Sequence, residues 1–189
     1  MSDNLLCGNE KCLRSTRRAA KLGHFGCLKE AYKNRGKWSE GTANYAATNG
    51  FLPALRYLHE NGCPMEEATW WAAKSGNIAC LEYAHANGCE LNKRVLLVAA
   101  EYGRVECLKY VLANGCEWNN HAPRFAACSR RLKVLVYIYE HCGDVATWEN
   151  ANLEEDADVF PEEIQDFINR VREDWKHGLN KPGRNIKGC

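Results

Sequence analysis

The sequence predicts an all-α chain, a solenoid of five to six stacked helix-turn-helix repeats closed by a C-terminal helix. Three markers that recur in one register predict it. Ala-Ala pairs fall at Ala19-Ala20, Ala46-Ala47, Ala72-Ala73, Ala99-Ala100 and Ala126-Ala127, in steps of 27, 26, 27 and 27. The pairs Cys27-Leu28, Ala54-Leu55, Cys80-Leu81, Cys107-Leu108 and Val134-Leu135 follow them in the same steps. Gly36, Gly62, Gly88 and Gly115 form the third series. Self-similarity at a fixed period is the signature of a repeat architecture. A β-branched, alternating run that could build a sheet is absent.

The elements follow in order. Lys11, Arg14, Arg17, Arg18 and Lys21 give the first helix a basic surface. A terminal repeat must face water, and a polar cap is the simpler reading. Nucleic-acid binding is the competing one. The whole chain disfavours it, because 25 Lys plus Arg against 24 Asp plus Glu leave a net charge of +1.

The unit beginning at Gly88 shows the plan of a repeat. Asn92 caps a first helix whose apolar stripe is Val95, Leu96, Val98, Ala99 and Tyr102. Gly103 ends it in the left-handed conformation. A second helix runs from about Val105 to Asn114, with Val105, Leu108, Val111 and Leu112 on one face, and Asn114-Gly115 turns the chain. The units fall near 8–35, 36–61, 62–87, 88–114 and 115–141, with a degraded half-unit at 142–156. There Cys142-Gly143-Asp144 keeps the turn, but no Ala-Ala pair follows. One hairpin cannot bury its own apolar face, so neighbours must stack.

The array over 1–156 is followed by a capping helix within 157–180 and a basic tail at 181–189. Residues 144–163 hold eight acids and no Lys or Arg. Pro161 suits the first helical position, and Glu162 and Glu163 suit the positive helix start. Ile164, Phe167, Ile168, Val171 and Trp175 line one face, and Gly178 is placed to cap the end.

Composition sets further bounds. Hydrophobic residues at 46% and charged residues at 26% describe a globular chain, not a disordered one. The longest apolar runs, Val95 to Ala100 and Val134 to Tyr139, are far short of a membrane span. The opening MSDNLLCGNEK carries no apolar core of a secretory signal. Eleven cysteines, an odd number, without such a signal point to reduced thiols in the cytoplasm or nucleus.

The strings GHFGCLKEAYKNRG, GFLPALRYLHENGC, GNIACLEYAHANGC and GRVECLKYVLANGC resemble the second-helix pattern of ankyrin repeats. The Ala-Ala pairs resemble the end of that family's first helix. The resemblance covers roughly residues 8 to 144. It departs from the family in its shorter period and in lacking the Thr-Pro-Leu-His opening. The missing residues fall in the β-hairpin fingers, so the resemblance implies shortened fingers. It looks like the short, cysteine-bearing variant found in protists and their large DNA viruses. What it implies is a protein-binding scaffold without intrinsic catalysis.

Six cysteines occupy two register positions: Cys27, Cys80 and Cys107, then Cys63, Cys89 and Cys116. Equivalent positions in stacked helices lie about 10 Å apart. A disulfide needs Cα atoms within about 7 Å, and zinc needs sulfur at about 2.3 Å. The series therefore reads as small buried hydrophobes. His59, Cys63, His85 and Cys89 make a Cys2His2 set on paper, but successive repeats spread them too widely. Cys7 and Cys12 lie near the chain start at a spacing wider than a CxxC knuckle, a weak signal. A Gly-rich phosphate loop, GxSxG and HExxH are all missing, so no enzyme is read. The acids from Glu149 to Asp158 lack the DxDxDG spacing of a calcium loop and read as a solvated face.

The resemblance also implies which residues face a partner on the concave side. By register these are Thr48 and Asn49, Lys74 and Ser75, and Glu101 and Tyr102, which follow the Ala-Ala pairs. The position two before each pair reads Arg17, Asn44, Trp70, Leu97 and Arg124 and varies from unit to unit. Trp70 is the hot-spot candidate. Trp71 aligns with Tyr45, Val98 and Phe125 and reads as core. Trp38 and Trp118 read as structural staples.

The expected function is a non-enzymatic, monomeric scaffold that binds an unidentified partner protein. It needs no cofactor and no small-molecule substrate, and it touches neither nucleic acid nor membrane. A zinc or thiol redox sensor built on Cys and His is the alternative.

Overall fold

The computed structural model describes residues 7, 10–35, 37–39, 41–141, 153 and 160–177. Among them are twelve helices and no strand. The chain divides into two compact units, Met1–Glu90 and Leu91–Cys189.

The first unit holds a four-residue helix α1 (Glu10–Leu13) and three helix pairs. These are α2 (Thr16–Lys21) with α3 (Phe25–Arg35), α4 (Thr42–Thr48) with α5 (Leu52–Glu60), and α6 (Ala68–Ser75) with α7 (Ile78–Ala86). Each first helix packs on its own second helix, α2 also on α4 and α4 on α6. The second unit holds α8 (Lys93–Glu101) with α9 (Val105–Ala113), α10 (Ala122–Cys128) with α11 (Leu132–His141), and α12 (Glu162–Lys176). Here α8 packs on α10 and α11 on α12.

Helices of six to eleven residues are too short to persist alone in water. Tertiary burial holds them. Every alanine of the five Ala-Ala pairs is at most 2% exposed, and Leu28, Leu55, Leu81, Leu108 and Leu135 are fully buried. The first two markers of the register are therefore the core.

The Ala-Ala pair has a second job. In α8 the Gly103 N–H donates to the Ala100 carbonyl at 3.2 Å, and the Arg104 N–H donates to Ala99 at 2.8 Å. This double closure satisfies carbonyls that a helix end leaves without partners. It recurs on Ala19-Ala20, Ala46-Ala47, Ala72-Ala73 and Ala126-Ala127. The turn residue takes a positive φ, 72° at Gly103. In the fifth repeat that place belongs to Arg130, the one described non-glycine with positive φ, at 59°.

The close of each repeat also meets the next one. A Cβ on Gly50 would lie 2.7 Å from Asn77 Oδ1. The Asn77 amide sits there because it donates to the Ala47 and Thr48 carbonyls at 3.0 and 2.7 Å. Asn49 donates likewise to Lys21 at 3.0 Å, and Arg131 Nε to Glu101 at 3.1 Å. A side chain of one repeat thus satisfies the helix end of the repeat before it.

Second helices close by the same rule. Gly62, Gly88 and Gly115 follow Asn61, Asn87 and Asn114, whose amides donate to the carbonyls of Tyr57, Tyr83 and Tyr110 at 2.7–2.8 Å. Cys63, Cys89 and Cys116 come next. Their N–H groups reach back to Leu58, Ala84 and Val111, and the thiols are 4–8% exposed. A small apolar residue at this position completes the closure by contact with the last turn.

The linking segments between repeats are held by polar tethers, with no strand among the described residues. Thr69 Oγ1 donates to the Glu90 carbonyl at 2.9 Å, and the Cys89 thiol to the Met65 carbonyl at 3.1 Å. Trp38 stacks on Tyr32 at 3.8 Å and donates Nε1 to the Asn61 carbonyl at 2.8 Å, the expected staple.

Asn92 caps α8 as the sequence indicates, accepting from the Arg94 and Val95 N–H groups. In α12, Pro161 precedes the first helical residue, one place earlier than expected, and its carbonyl accepts from Ile164 and Gln165. Ile164, Ile168 and Val171 are buried, and Phe167 meets Tyr139 edge-on at 6.0 Å. Gly36, the half-unit at 142–156 apart from Leu153, the acids from Glu149 to Asp158, Gly178, the 181–189 tail and the Trp175 side chain lie outside the described residues.

Arg130→Gly is expected to stabilise the chain. A left-handed L-residue costs about 1–2 kcal/mol, and the added freedom of glycine in the unfolded chain offsets about half of that. The net gain of about 0.5–1 kcal/mol raises Tm by roughly 1–4 °C in a protein of this size. Thermal unfolding followed by circular dichroism reads it, and an unchanged or lower Tm would contradict the account of this turn.

Candidate functional site

In the first unit, Asn44, Thr48 and Asn49 lie on and just after α4, and Trp70, Lys74 and Ser75 lie on α6. Asn44, Thr48, Trp70, Lys74 and Ser75 are half-buried and Asn49 is exposed. Part of this set already serves the fold. Thr48 Oγ1 donates to the Asn44 carbonyl at 2.7 Å, and Asn49 caps α2. Trp70, Trp71 and Lys74 form one group. The two indoles meet edge to face at 4.8 Å, and the Lys74 ammonium lies 5.0 and 5.2 Å from their ring centres. A cation over the face of a ring is attracted by its quadrupole.

In the second unit, Leu97, Glu101 and Tyr102 belong to α8 and its cap, and Arg124 to α10, all half-buried. Glu101 lends its carbonyl to Arg131.

The position just before the Ala-Ala pair corrects the reading of Trp71 as core. Only Val98 is buried there, 3% exposed. Tyr45 and Trp71 are half-buried and Phe125 is 40% exposed. Trp71 Nε1 donates to the exposed Glu67 carboxylate at 3.3 Å. These side chains sit at the margin of the buried stripe, where a large ring leaves one edge in water.

A second surface went unread in the sequence. Tyr57, Tyr83, Tyr110 and Tyr137 recur three places after the second marker. Cations from the preceding repeat lie over three of these rings: Lys29 over Tyr57 at 5.9 Å, Arg56 over Tyr83 at 5.1 Å and Lys109 over Tyr137 at 5.6 Å. The basic residues occupy one register place as well, so the signal was present. His59 Nδ1 is 2.9 Å from the Tyr83 hydroxyl and belongs to this surface, not to a metal set with Cys63.

The residues that do converge are Cys7, Cys12, His24 and Cys27. Their ligand atoms all lie within 4.8 Å of one another. The Cys7 and Cys27 sulfurs are 3.2 Å apart, and Cys12 Sγ is 3.4 Å from His24 Nδ1. Cys12 and Cys27 are fully buried, His24 is half-buried and Cys7 is exposed. Burial, with the Cys7 and Cys27 thiols beside it, pushes the Cys12 pKa up to about 12. Cys7 and Cys12 are too widely spaced for a CxxC knuckle, and their partners lie further along the chain, His24 in the turn between α2 and α3 and Cys27 in the first turn of α3.

Comparison with known families decides what the array is. A model of ankyrin repeats in three copies matches residues 43–122 and 69–147. The chain belongs to the ankyrin repeat family. The crystal structure of the human ASB11 ankyrin repeat domain superposes with a TM-score of 0.64 at 17% identity. The match covers 92% of this chain and 88% of that one. It shows the shared fold, an ankyrin-like helical-repeat solenoid. No match is found among curated protein sequences. Ankyrin repeats are in general non-enzymatic protein–protein interaction modules, so a protein is the class of partner the family indicates. No helix among the described residues is long and apolar enough to cross a membrane.

In this ankyrin array the register-locked thiols are core groups. None of the described cysteines forms a disulfide. Burial raises the Cys63 and Cys80 pKa values from 9.0 to about 11 and also raises that of Cys89. A buried thiol held protonated is a poor nucleophile.

Two outcomes follow. Against exposed Cys128, alkylation of Cys63 and Cys80 at pH 8 should lag by about 100-fold or more until denaturant is added, as peptide mass spectrometry can read. Stability should also fall as pH rises from about 9 to about 11. The unfolded chain releases these protons first, so ionisation favours unfolding across that window. A flat stability profile there would contradict burial of the two thiols.

Proposed function

We propose that this ankyrin array binds a partner protein through its first-helix surface, with Trp70 and Lys74 of the first unit at the centre. One observation supports it above the others. Two indoles and an ammonium stand together on α6 with neither ring fully buried. Tryptophan supplies large contact area at low entropic cost and dominates interface hot spots.

Asn44, Thr48, Asn49 and Ser75 extend this surface on the first unit. Leu97, Glu101, Tyr102 and Arg124 are the residues the same register offers on the second. The core markers recur in every repeat while Asn44, Trp70, Leu97 and Arg124 differ, as a scaffold with changeable specificity requires. The scaffold works as a monomer without catalysis, in a reducing compartment where its buried thiols persist.

A competition pull-down with quantitative mass spectrometry tests the reading. Trp70→Ala is expected to reduce capture of the wild-type partner by about 30-fold, the effect of a 2 kcal/mol hot spot. Lys74→Glu is expected to reduce it through charge reversal. Arg56→Glu on the second-helix surface should leave capture unchanged. Loss on Arg56→Glu with retention on Trp70→Ala would move the site to the opposite surface. Circular dichroism must show each variant folded.

A further inference from the structure

We propose that Cys7, Cys12, His24 and Cys27 bind one zinc ion, which staples the N-terminal segment onto the first repeat. This inference is independent of the partner-binding reading, since it concerns only how the array begins.

The geometry fits the metal. Tetrahedral zinc with Zn–S of about 2.3 Å and Zn–N of about 2.0–2.1 Å sets S···S edges near about 3.8 Å and S···N edges near about 3.6 Å. Here two separations are 3.2 and 3.4 Å, and all four ligand atoms lie within 4.8 Å of one another, close enough to share one ion. Small side-chain rotations complete the tetrahedron. Three cysteines and one histidine are an established structural zinc set.

The placement supplies a reason. α1 has four residues and no helical stability of its own. Its only buried side chain is Cys12. The four ligands come from the segment before α1, from α1, from the turn between α2 and α3, and from the first turn of α3. One ion there ties all three helices together.

The register alone does not account for this cluster. Cys27 occupies the place filled by Ala54, Cys80, Cys107 and Val134, which are buried apolar residues. Histidine stands at position 24, where later repeats carry Phe51, Asn77, Arg104 and Arg131. Packing alone does not call for a ring nitrogen 3.4 Å from a buried sulfur.

Binding balances simply. Zn²⁺ displaces three thiol protons to solvent and accepts the lone pair of neutral His24, leaving a centre of net charge −1.

Elemental analysis of the untagged full chain, purified with reductant, tests the proposal. About one zinc per chain is expected. Cobalt in its place should give the sulfur-to-metal charge transfer and visible bands of a tetrahedral thiolate site. Cys7→Ser removes an exposed ligand at small cost to packing, and His24→Gln removes the nitrogen. Each should weaken metal binding by at least about 100-fold, while Cys128→Ser leaves it unchanged. Chelation should lower the wild-type Tm and leave that of Cys7→Ser unmoved. Any of three results would overturn the proposal: folded, reduced chain without metal affinity, metal retained in both ligand variants, or a Cys7–Cys27 disulfide in place of metal.

Discussion

The closing of each first helix on its Ala-Ala pair is the interaction on which the rest of this array depends. Two carbonyls accept the turn's N–H groups, and two methyl side chains allow the neighbouring helices to approach. A larger side chain would push those neighbours apart. A different turn would aim the second helix elsewhere. Because the helices are short, their stability comes from this contact repeated, not from helix propensity. The recurring polar caps, such as Asn77 on the Ala47 and Thr48 carbonyls, then make each helix end depend on the next repeat.

That constraint divides the surface. Residues in the register's core places are committed, and those flanking the Ala-Ala pair are only partly so. Asn49 and Glu101 show the compromise, since both offer exposed or half-buried side chains while their polar groups or backbone close a helix. Trp70 and Lys74 stand with Trp71 as one aromatic and cationic group on α6, which is why the proposed interaction surface is centred on them. The tyrosine and cation series on the second helices is different in kind. It joins one repeat to the next within each unit and so belongs to the scaffold.

The fold was legible because its causes are local and periodic. Alanine, leucine and glycine at fixed steps name the contacts and the turns directly. The Asn92 cap and the Trp38 staple were legible for the same reason. Trp71 was misread because alignment with Val98 says which face a residue shares, not how deeply a ring of that size can sink. Arg130 escaped notice because its positive φ is imposed by the register and not by its own chemistry. Of the cysteine–histidine cluster, only Cys7 and Cys12 stood out in the sequence, as a weak signal. Its members are drawn together by a hairpin between α2 and α3, and chain spacing carries no trace of that approach.

α12 and α1 are held in different ways. At the C-terminal end α12 lays fifteen residues on α11 and buries Ile164, Ile168 and Val171. At about 1.5–3 kcal/mol for each buried aliphatic side chain, this cap is held by apolar area. Its register is fixed by the Tyr139 hydroxyl donating to Asp174 at 3.0 Å. At the N-terminal end α1 offers four residues and one buried side chain, a thiol. Apolar area cannot hold that segment at any comparable strength. A coordinate bond from three thiolates and an imidazole can, because its strength does not scale with buried surface. The segment around α1, held by so little apolar area, is thus where ligand chemistry gathers.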